Sequence, residues 1–350
     1  MENFQKGNDI KEKRRKYFFS MMFFVLLVAA TFYLLLKDCD FNNILEAVKG
    51  AQYRYLILSF IMAIVYIMGE GQCINIIIKS LKGSANRFLC FIYGCIDFYF
   101  CAVTPSATGG QPIAAYYMSK DGVSVATSTI ALLLNTIQYK LVLLVLGFAA
   151  VIFKFNIFLE SFWFTFMFVF GIVANIITIT LCLVAIFSKP LLDKVIYKII
   201  NGLVRIKLIK NRRKIIEKYK YQFKDYEKSA EYIKSNPIVN IKVFFVCLVQ
   251  RVALFSIAYF VYKSFCPDGN VTFIDLLSIQ VAVAMAVDSL PLPGGVGAAE
   301  AFTVQLYTIV YGPDLVPTAT LLTRGMSYYL CVLVSGIFFI INHIRHSVRT

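Results

Sequence analysis

Long apolar runs decide what this chain can fold into. Residues 17–36, 55–79, 124–153, 161–187, 238–263 and 316–342 are each apolar over roughly 20–30 positions. About 20 such residues cross the hydrocarbon of a bilayer as a helix. Only a helix or a closed barrel satisfies its backbone groups there. The chain has 350 residues, of which 59% are hydrophobic and 16% charged, with a mean hydropathy of +0.71. Soluble domains carry about 25% charged residues, so a soluble single-core protein and a disordered chain are both excluded. The first run, Tyr17 to Leu36, is too long for a signal-peptide core and has no small-x-small cleavage site, so it reads as a first span.

Two further apolar stretches, 88–119 and 273–312, are interrupted by Pro and Gly. Charge places their ends. The formal net charge is +15, and most of the excess sits in residues 1–16 and 188–237. Both blocks flank apolar runs and read as anchors on an anionic inner leaflet rather than as a nucleic-acid footprint. The second reads as an amphipathic interface helix, with Leu191, Val195, Ile199 and Leu203 opposed to Lys194, Lys198, Arg205 and Lys207. Lys79, Lys82 and Arg87 put the next short loop inside, and the chain is again inside near Lys120. The stretch between therefore dips and returns. By the same bookkeeping, 273–312 starts and finishes outside. The expected fold is an all-α polytopic membrane protein with six full spans plus two re-entrant helical hairpins in an inverted-topology repeat. Residues 1–16 form a cytoplasmic basic N-terminus and 17–153 the first membrane repeat. Residues 161–342 form the second repeat, with 188–237 a cytoplasmic loop, and 343–350 a cytoplasmic tail.

An internal match supports the repeat. Val103–Tyr116 parallels Ser289–Phe302 through their Pro and Gly positions. The following runs align at a constant offset: Thr129, Leu132, Tyr139 and Gly147 match Thr318, Leu321, Tyr328 and Gly336. Broken segments in matching places of inverted halves form the substrate sites of many secondary transporters.

Chemistry concentrates at the breaks. Gly294, Gly295 and Gly297, in the run Pro291 to Glu300, permit a tight turn and a helix start whose N–H groups suit phosphate. Thr104, Ser106, Thr108, Gly109, Gly110 and Gln111 form the corresponding tip in the first half, with hydroxyls added. Glu70, Asp97, Lys140, Arg251, Asp288, Glu300 and Arg324 are ionisable residues at membrane depth, where each costs about 2.5–3.5 kcal/mol and must face the interior with a partner. Arg324 is the expected contact to a lipid phosphate, with Glu300 its partner or a contact to a cationic head group. Asn135 occupies the position equivalent to Arg324, and Gln138 lies one turn on. Asp97 and Asp288 are candidate proton or head-group sites. Lys140 can snorkel to the interface and is set aside. Gly69 and Gly71 read as helix-contact positions. The nine Cys are scattered without C-x-x-C and read as buried hydrophobes. No Walker A, G-x-S-x-G or H-E-x-x-H motif is present, and no metal or other cofactor is expected.

Pro-Leu-Pro-Gly-Gly-Val-Gly-Ala-Ala-Glu (291–300), followed by Leu-Leu-Thr-Arg-Gly-Met-Ser-Tyr-Tyr (321–329), resembles the signature of the lysylphosphatidylglycerol synthase/flippase membrane region, the MprF-type family. The resemblance covers about 17–345. It departs from many relatives in having Gly110-Gln111 and no following Arg in the first hairpin. It implies a bacterial cell-membrane lipid translocase for an anionic or aminoacylated phospholipid such as lysylphosphatidylglycerol, linked to cationic peptide resistance. The alternative it implies is the membrane component of a phosphatidylglycerol lysyltransferase, or of another lipid-modifying transferase. The family's aminoacyltransferase domain is not expected between here and Thr350, so such an activity would need a soluble aminoacyltransferase in trans. A membrane phospholipid is the expected partner, a homo-oligomer is considered, and direct nucleic-acid binding is not expected. A non-transporting scaffold is the remaining reading.

Overall fold

The computed structural model describes residues 49–104, 109–159, 161–188, 198 and 225–348, which contain helices and no strand. Expectations for 1–16, 17–36 and most of 188–237 lie outside the described residues. The unit Ala51–Thr350 carries α1 (Tyr53–Ser80), α2 (Arg87–Val103), α3 (Gly110–Lys120), α4 (Val125–Phe153), α5 (Phe162–Phe187), α6 (Pro237–Phe265), α7 (Phe273–Val287), α8 (Ala298–Tyr307), α9 (Val316–Arg324) and α10 (Leu330–Val348). A π-helical turn, Gly325–Tyr329, joins α9 to α10.

Helix starts follow their capping residues. The Asn86 side chain accepts from the Leu89 N–H at 2.8 Å and Ser124 from Thr127 at 3.1 Å, opening α2 and α4. Thr272 and Asp275 form a reciprocal capping box at the head of α7. Among the described residues, five helices are long and apolar enough to cross a membrane: α1, α4, α5, α6 and the continuous Val316–Ser347. They coincide with five of the expected apolar spans to within a few residues. The two interrupted stretches are each split into two helices, α2/α3 and α7/α8, at the Pro/Gly positions. On α5, Phe162, Trp163, Phe166, Phe170 and Leu181 are exposed. An apolar face of this kind is unsuited to water and suited to lipid.

The packing repeats itself when the halves are exchanged. α1 packs along α6; α2 packs on α1 and α10, and α7 on α6 and α4; α3 touches α4, as α8 touches α9. Each split hairpin therefore rests against the last long helix of the other half. The α1–α6 seam is antiparallel from end to end. Gln52 N–H donates to the Ser264 carbonyl at 2.8 Å, the Ser59 hydroxyl to Ile257 at 3.5 Å and the Cys73 thiol to Val243 at 3.9 Å. The residue numbers of these three pairs share one sum, as a single register requires. Glycines permit the close crossings. A Cβ on Gly71 would lie 2.4 Å from the Phe91 Cα of α2, and one on Gly69 2.8 Å from the Gln250 Cβ of α6, in line with the helix-contact reading of both.

Candidate functional site: two buried charge clusters at the helix breaks

The second break turns through Gly294 and Gly295, both at positive φ (57° and 65°), and reaches α8 through Gly297 at φ 86°. L side chains avoid that region, so glycine is required by the path of the chain. Glu300, in the first turn of α8, folds back so that its Oε2 accepts the Gly297 N–H at 2.6 Å. The anion at this helix terminus is thus the protein's own carboxylate, where the sequence pointed to N–H groups open to phosphate. The other Glu300 oxygen accepts from Arg324 Nε at 2.7 Å and from the Tyr329 hydroxyl at 2.9 Å. The Arg324 guanidinium lies 4.5 Å from the centre of the Tyr328 ring, a cation–π contact. Its Nη2 is buried without a hydrogen-bond partner among the described residues. A buried unsatisfied donor costs about 1–3 kcal/mol, more when charged, and so calls for an acceptor.

Tyr328 ties this cluster to the first break. Its hydroxyl donates to the Ala102 carbonyl at the end of α2 at 3.0 Å. A Cβ on Gly294 would fall 1.7 Å from the same oxygen. The end of α2 and the Pro293–Gly295 turn consequently meet around one tyrosine. At the first break the Thr104 hydroxyl donates to the Phe100 carbonyl at 2.6 Å and accepts from the Gly109 N–H at 3.0 Å, closing the gap across 105–108. Gly110 packs so tightly on α2 that a Cβ would lie 2.3 Å from the Asp97 carbonyl oxygen. Gln111 donates to Thr136 on α4 at 2.5 Å. In the repeat register Glu300 and Arg324 correspond to Ala114 and Asn135, so the first half has no charge pair at these positions. Ser106 and Thr108 lie outside the described residues.

A second cluster lies between α1, α4, α6 and α7. The two Glu70 oxygens accept from Asn135 and from Gln250. Arg251 Nη2 stands 3.8 Å from Glu70 Oε2, and Nη1 is 3.4 Å from the Tyr66 hydroxyl. The same guanidinium lies 3.9 Å from the centre of the Tyr139 ring. Tyr139 and Lys140 both donate to Asp288, the residue that caps α7 at the break. Lys140 does not snorkel. It is buried and salt-bridged to Asp288, because α7 of the second half lies across its path to the interface. Asp97 accepts from the Cys101 thiol at 3.8 Å and joins neither cluster by an ion pair. Gln138 is buried on α4 outside both hydrogen-bond networks. Among the described residues, no group of three or more His, Cys, Asp or Glu side chains is placed to hold a metal ion.

The structure thus brings together Gly294, Gly297, Glu300 and Arg324 in one cluster and Glu70, Asn135, Arg251 and Asp288 in the other. Sequence reasoning left out Tyr66, Tyr139, Lys140, Gln250, Tyr328 and Tyr329. The matched positions of Tyr139 and Tyr328 in the repeat were the available signal.

The sequence profile described as the lysylphosphatidylglycerol synthase TM region matches residues 21–335. The chain belongs to that family. A comparison with curated proteins finds no match. Family membership and the five long apolar helices make this a multi-pass membrane protein with a lipid-related function.

Proposed function

We propose that this chain is a lipid translocase of the bacterial cell membrane, moving an anionic or aminoacylated phospholipid such as lysylphosphatidylglycerol between leaflets, with an effect on resistance to cationic peptides. In this reading 17–36 supplies the sixth span and α2/α3 and α7/α8 are re-entrant hairpins dipping from opposite faces. The repeats are 17–153 and 161–342, and both termini with the 188–237 loop are cytoplasmic. The single observation that carries the reading is the bare Nη2 of Arg324, buried where the two broken hairpins meet. A phosphate oxygen is the acceptor such a group fits. Buried charges at membrane depth beside broken helices mark a substrate path more often than a scaffold.

The test is reconstitution into liposomes with fluorescently labelled phosphatidylglycerol or its lysyl ester and no tRNA. Exchange between leaflets by the wild-type chain, abolished in Arg324→Gln with expression and folding retained, is the expected result. A covalent lipid product appearing only when charged tRNA and a soluble aminoacyltransferase are added, without leaflet exchange, would replace this reading with the transferase one. Loss of folding in Arg324→Gln would make the arginine structural.

A further inference from the structure

The two halves differ at one point where they should match. Tyr139 and Tyr328 hold equivalent positions in the repeat, and each reaches across to the other half's hairpin just before its break. Tyr328 meets the backbone carbonyl of Ala102. Tyr139 meets the side chain of Asp288, the residue that the internal alignment sets opposite Ala102. One of the two contacts is therefore titratable and the other is not.

The charge balance around Asp288 gives this asymmetry a consequence. Lys140 and Tyr139 of α4 hold its carboxylate, and Arg251 of α6 lies on the ring of Tyr139, with Glu70 of α1 beside it. Cys182 of α5 and Cys101 of α2 are within electrostatic reach of the Lys140 ammonium. On α8, Glu300 is already paired with Arg324. The four charged groups joined by these contacts, Glu70, Arg251, Lys140 and Asp288, cancel; Asp97 of α2, which accepts from the Cys101 thiol, has no ion pair with any of them among the described residues. The closed network has no charge to offer an anion. A proton on Asp288 removes one negative charge, releases Lys140 and weakens the hold of α4 on the end of α7. The network then carries one uncompensated positive charge at the hinge of the second hairpin, which a buried site accommodates poorly without a counter-ion.

We propose that Asp288 is the site of a coupling proton, and that the proton and an anionic phosphate head group bind together. Resting on the translocase reading, this assigns the driving ion: the proton enters on an Asp288 carboxylate oxygen, the positive charge it leaves on Lys140 favours the anionic head group that Arg324 receives, and both leave when the hairpin resets. Thermodynamic reciprocity makes the coupling measurable from either side, since a ligand that requires a proton must raise proton affinity as much as the proton raises its own.

The experiment uses the purified full chain in weakly buffered detergent and short-chain phosphatidylglycerol as the probe. Binding takes up about one proton per lipid, and lipid affinity falls about tenfold per pH unit once Asp288 is ionised in the free protein. Asp288→Asn binds the lipid without proton uptake and with a flat pH profile. Asp121→Asn, which removes a carboxyl outside both clusters, keeps the uptake. In liposomes, an imposed pH gradient accelerates leaflet exchange by the wild type and not by Asp288→Asn. Lipid binding by the wild type without proton uptake would overturn the coupling and leave the translocase reading standing. Uptake that persists in Asp288→Asn would move the proton elsewhere and equally overturn the assignment. Proton-coupled binding without any leaflet exchange would sustain the site and sink the translocase reading instead. Should Asp288→Asn fail to fold, Asp288→Glu, which keeps a carboxyl at a changed distance from Lys140, shifts the pH profile of the uptake, and an unshifted profile overturns the assignment.

Discussion

Tyr328 fills the space that a side chain on Gly294 would need. The two belong to the same half of the chain, yet the tyrosine hydroxyl is satisfied by the other half, at the Ala102 carbonyl 3.0 Å away. The turn at Pro293–Gly295, the end of α2 and the π-helical turn that carries Tyr328 are thereby locked to one another. π-turns are rare and recur at functional positions. Here the turn packs Tyr328 and Tyr329 edge to face against each other, one ring under Arg324 and the other's hydroxyl on Glu300.

Gly294→Ala should be poorly tolerated, because the new methyl meets both a positive φ and the Tyr328 ring. A strained backbone position costs about 1–3 kcal/mol, before the displaced tyrosine is counted. Tyr328→Phe loses one hydrogen bond, about 1 kcal/mol, and keeps the ring over Arg324. Thermal unfolding in detergent should rank Gly294→Ala well below Tyr328→Phe; the reverse order would show that the turn adapts and that the tyrosine is held elsewhere.

Glu300 and Arg324 should be strongly coupled. Removing one member of a buried pair costs about 3–5 kcal/mol, because the other charge is left behind, while removing both costs far less. Glu300→Gln and Arg324→Gln should each lower stability more than the double variant does. Additive single effects in a double-mutant cycle would place the two side chains in separate environments.

Much of this arrangement was legible in the residues. Each apolar run announced a helix by its length, and the Pro-Gly positions announced where two of them break. The repeat register set Tyr139 against Tyr328. What composition could not reveal is which helix lies across which. Lys140 read as a side chain free to reach the interface, and only the passage of α7 over α4 turns it toward Asp288. Glu70 and Gln250 are 180 residues apart, and no local pattern tells that α1 and α6 run along each other closely enough for them to meet. At the head of α8 the sequence placed Glu300 in the first turn, and the fold shows which N–H its carboxylate takes, that of Gly297.

The α1–α2 crossing should discriminate sharply between glycines. A Cβ on Gly71 would meet the backbone of Phe91 at 2.4 Å, and backbone cannot rotate away, whereas a Cβ on Gly312 meets nothing within 4 Å. Gly71→Ala should lower the unfolding temperature and disturb Glu70 next to it. Gly312→Ala should be near neutral. Equal effects on unfolding would mean that α2 shifts freely on α1.

The ends of the two halves are joined at Asp121, whose Oδ1 pairs with Arg345 at 2.7 Å and faces His346 at 3.4 Å, while Oδ2 accepts from the Tyr93 hydroxyl at 3.0 Å. Tyr117, on the same helix as Lys120, meets His343 at 2.6 Å. These contacts fasten α3 to the last turns of α10, with the Asp121 side chain only 4% exposed and Arg345 at 30%. Asp121→Asn keeps an acceptor for the Tyr93 hydroxyl and leaves Arg345, 30% exposed, able to reach water, so its cost should fall below the about 3–5 kcal/mol of a fully buried pair. Its effect should be local: amide exchange in the last turns of α10 should quicken several-fold, since that is where fraying is held back, while α1 and α6 stay protected. High salt should change this little in the wild type, because the Asp121 side chain is buried and buried pairs are screened far less than exposed ones. Unchanged exchange at α10 in Asp121→Asn would assign the attachment to Tyr117 and its ring contacts with Phe339 and His343 rather than to charge.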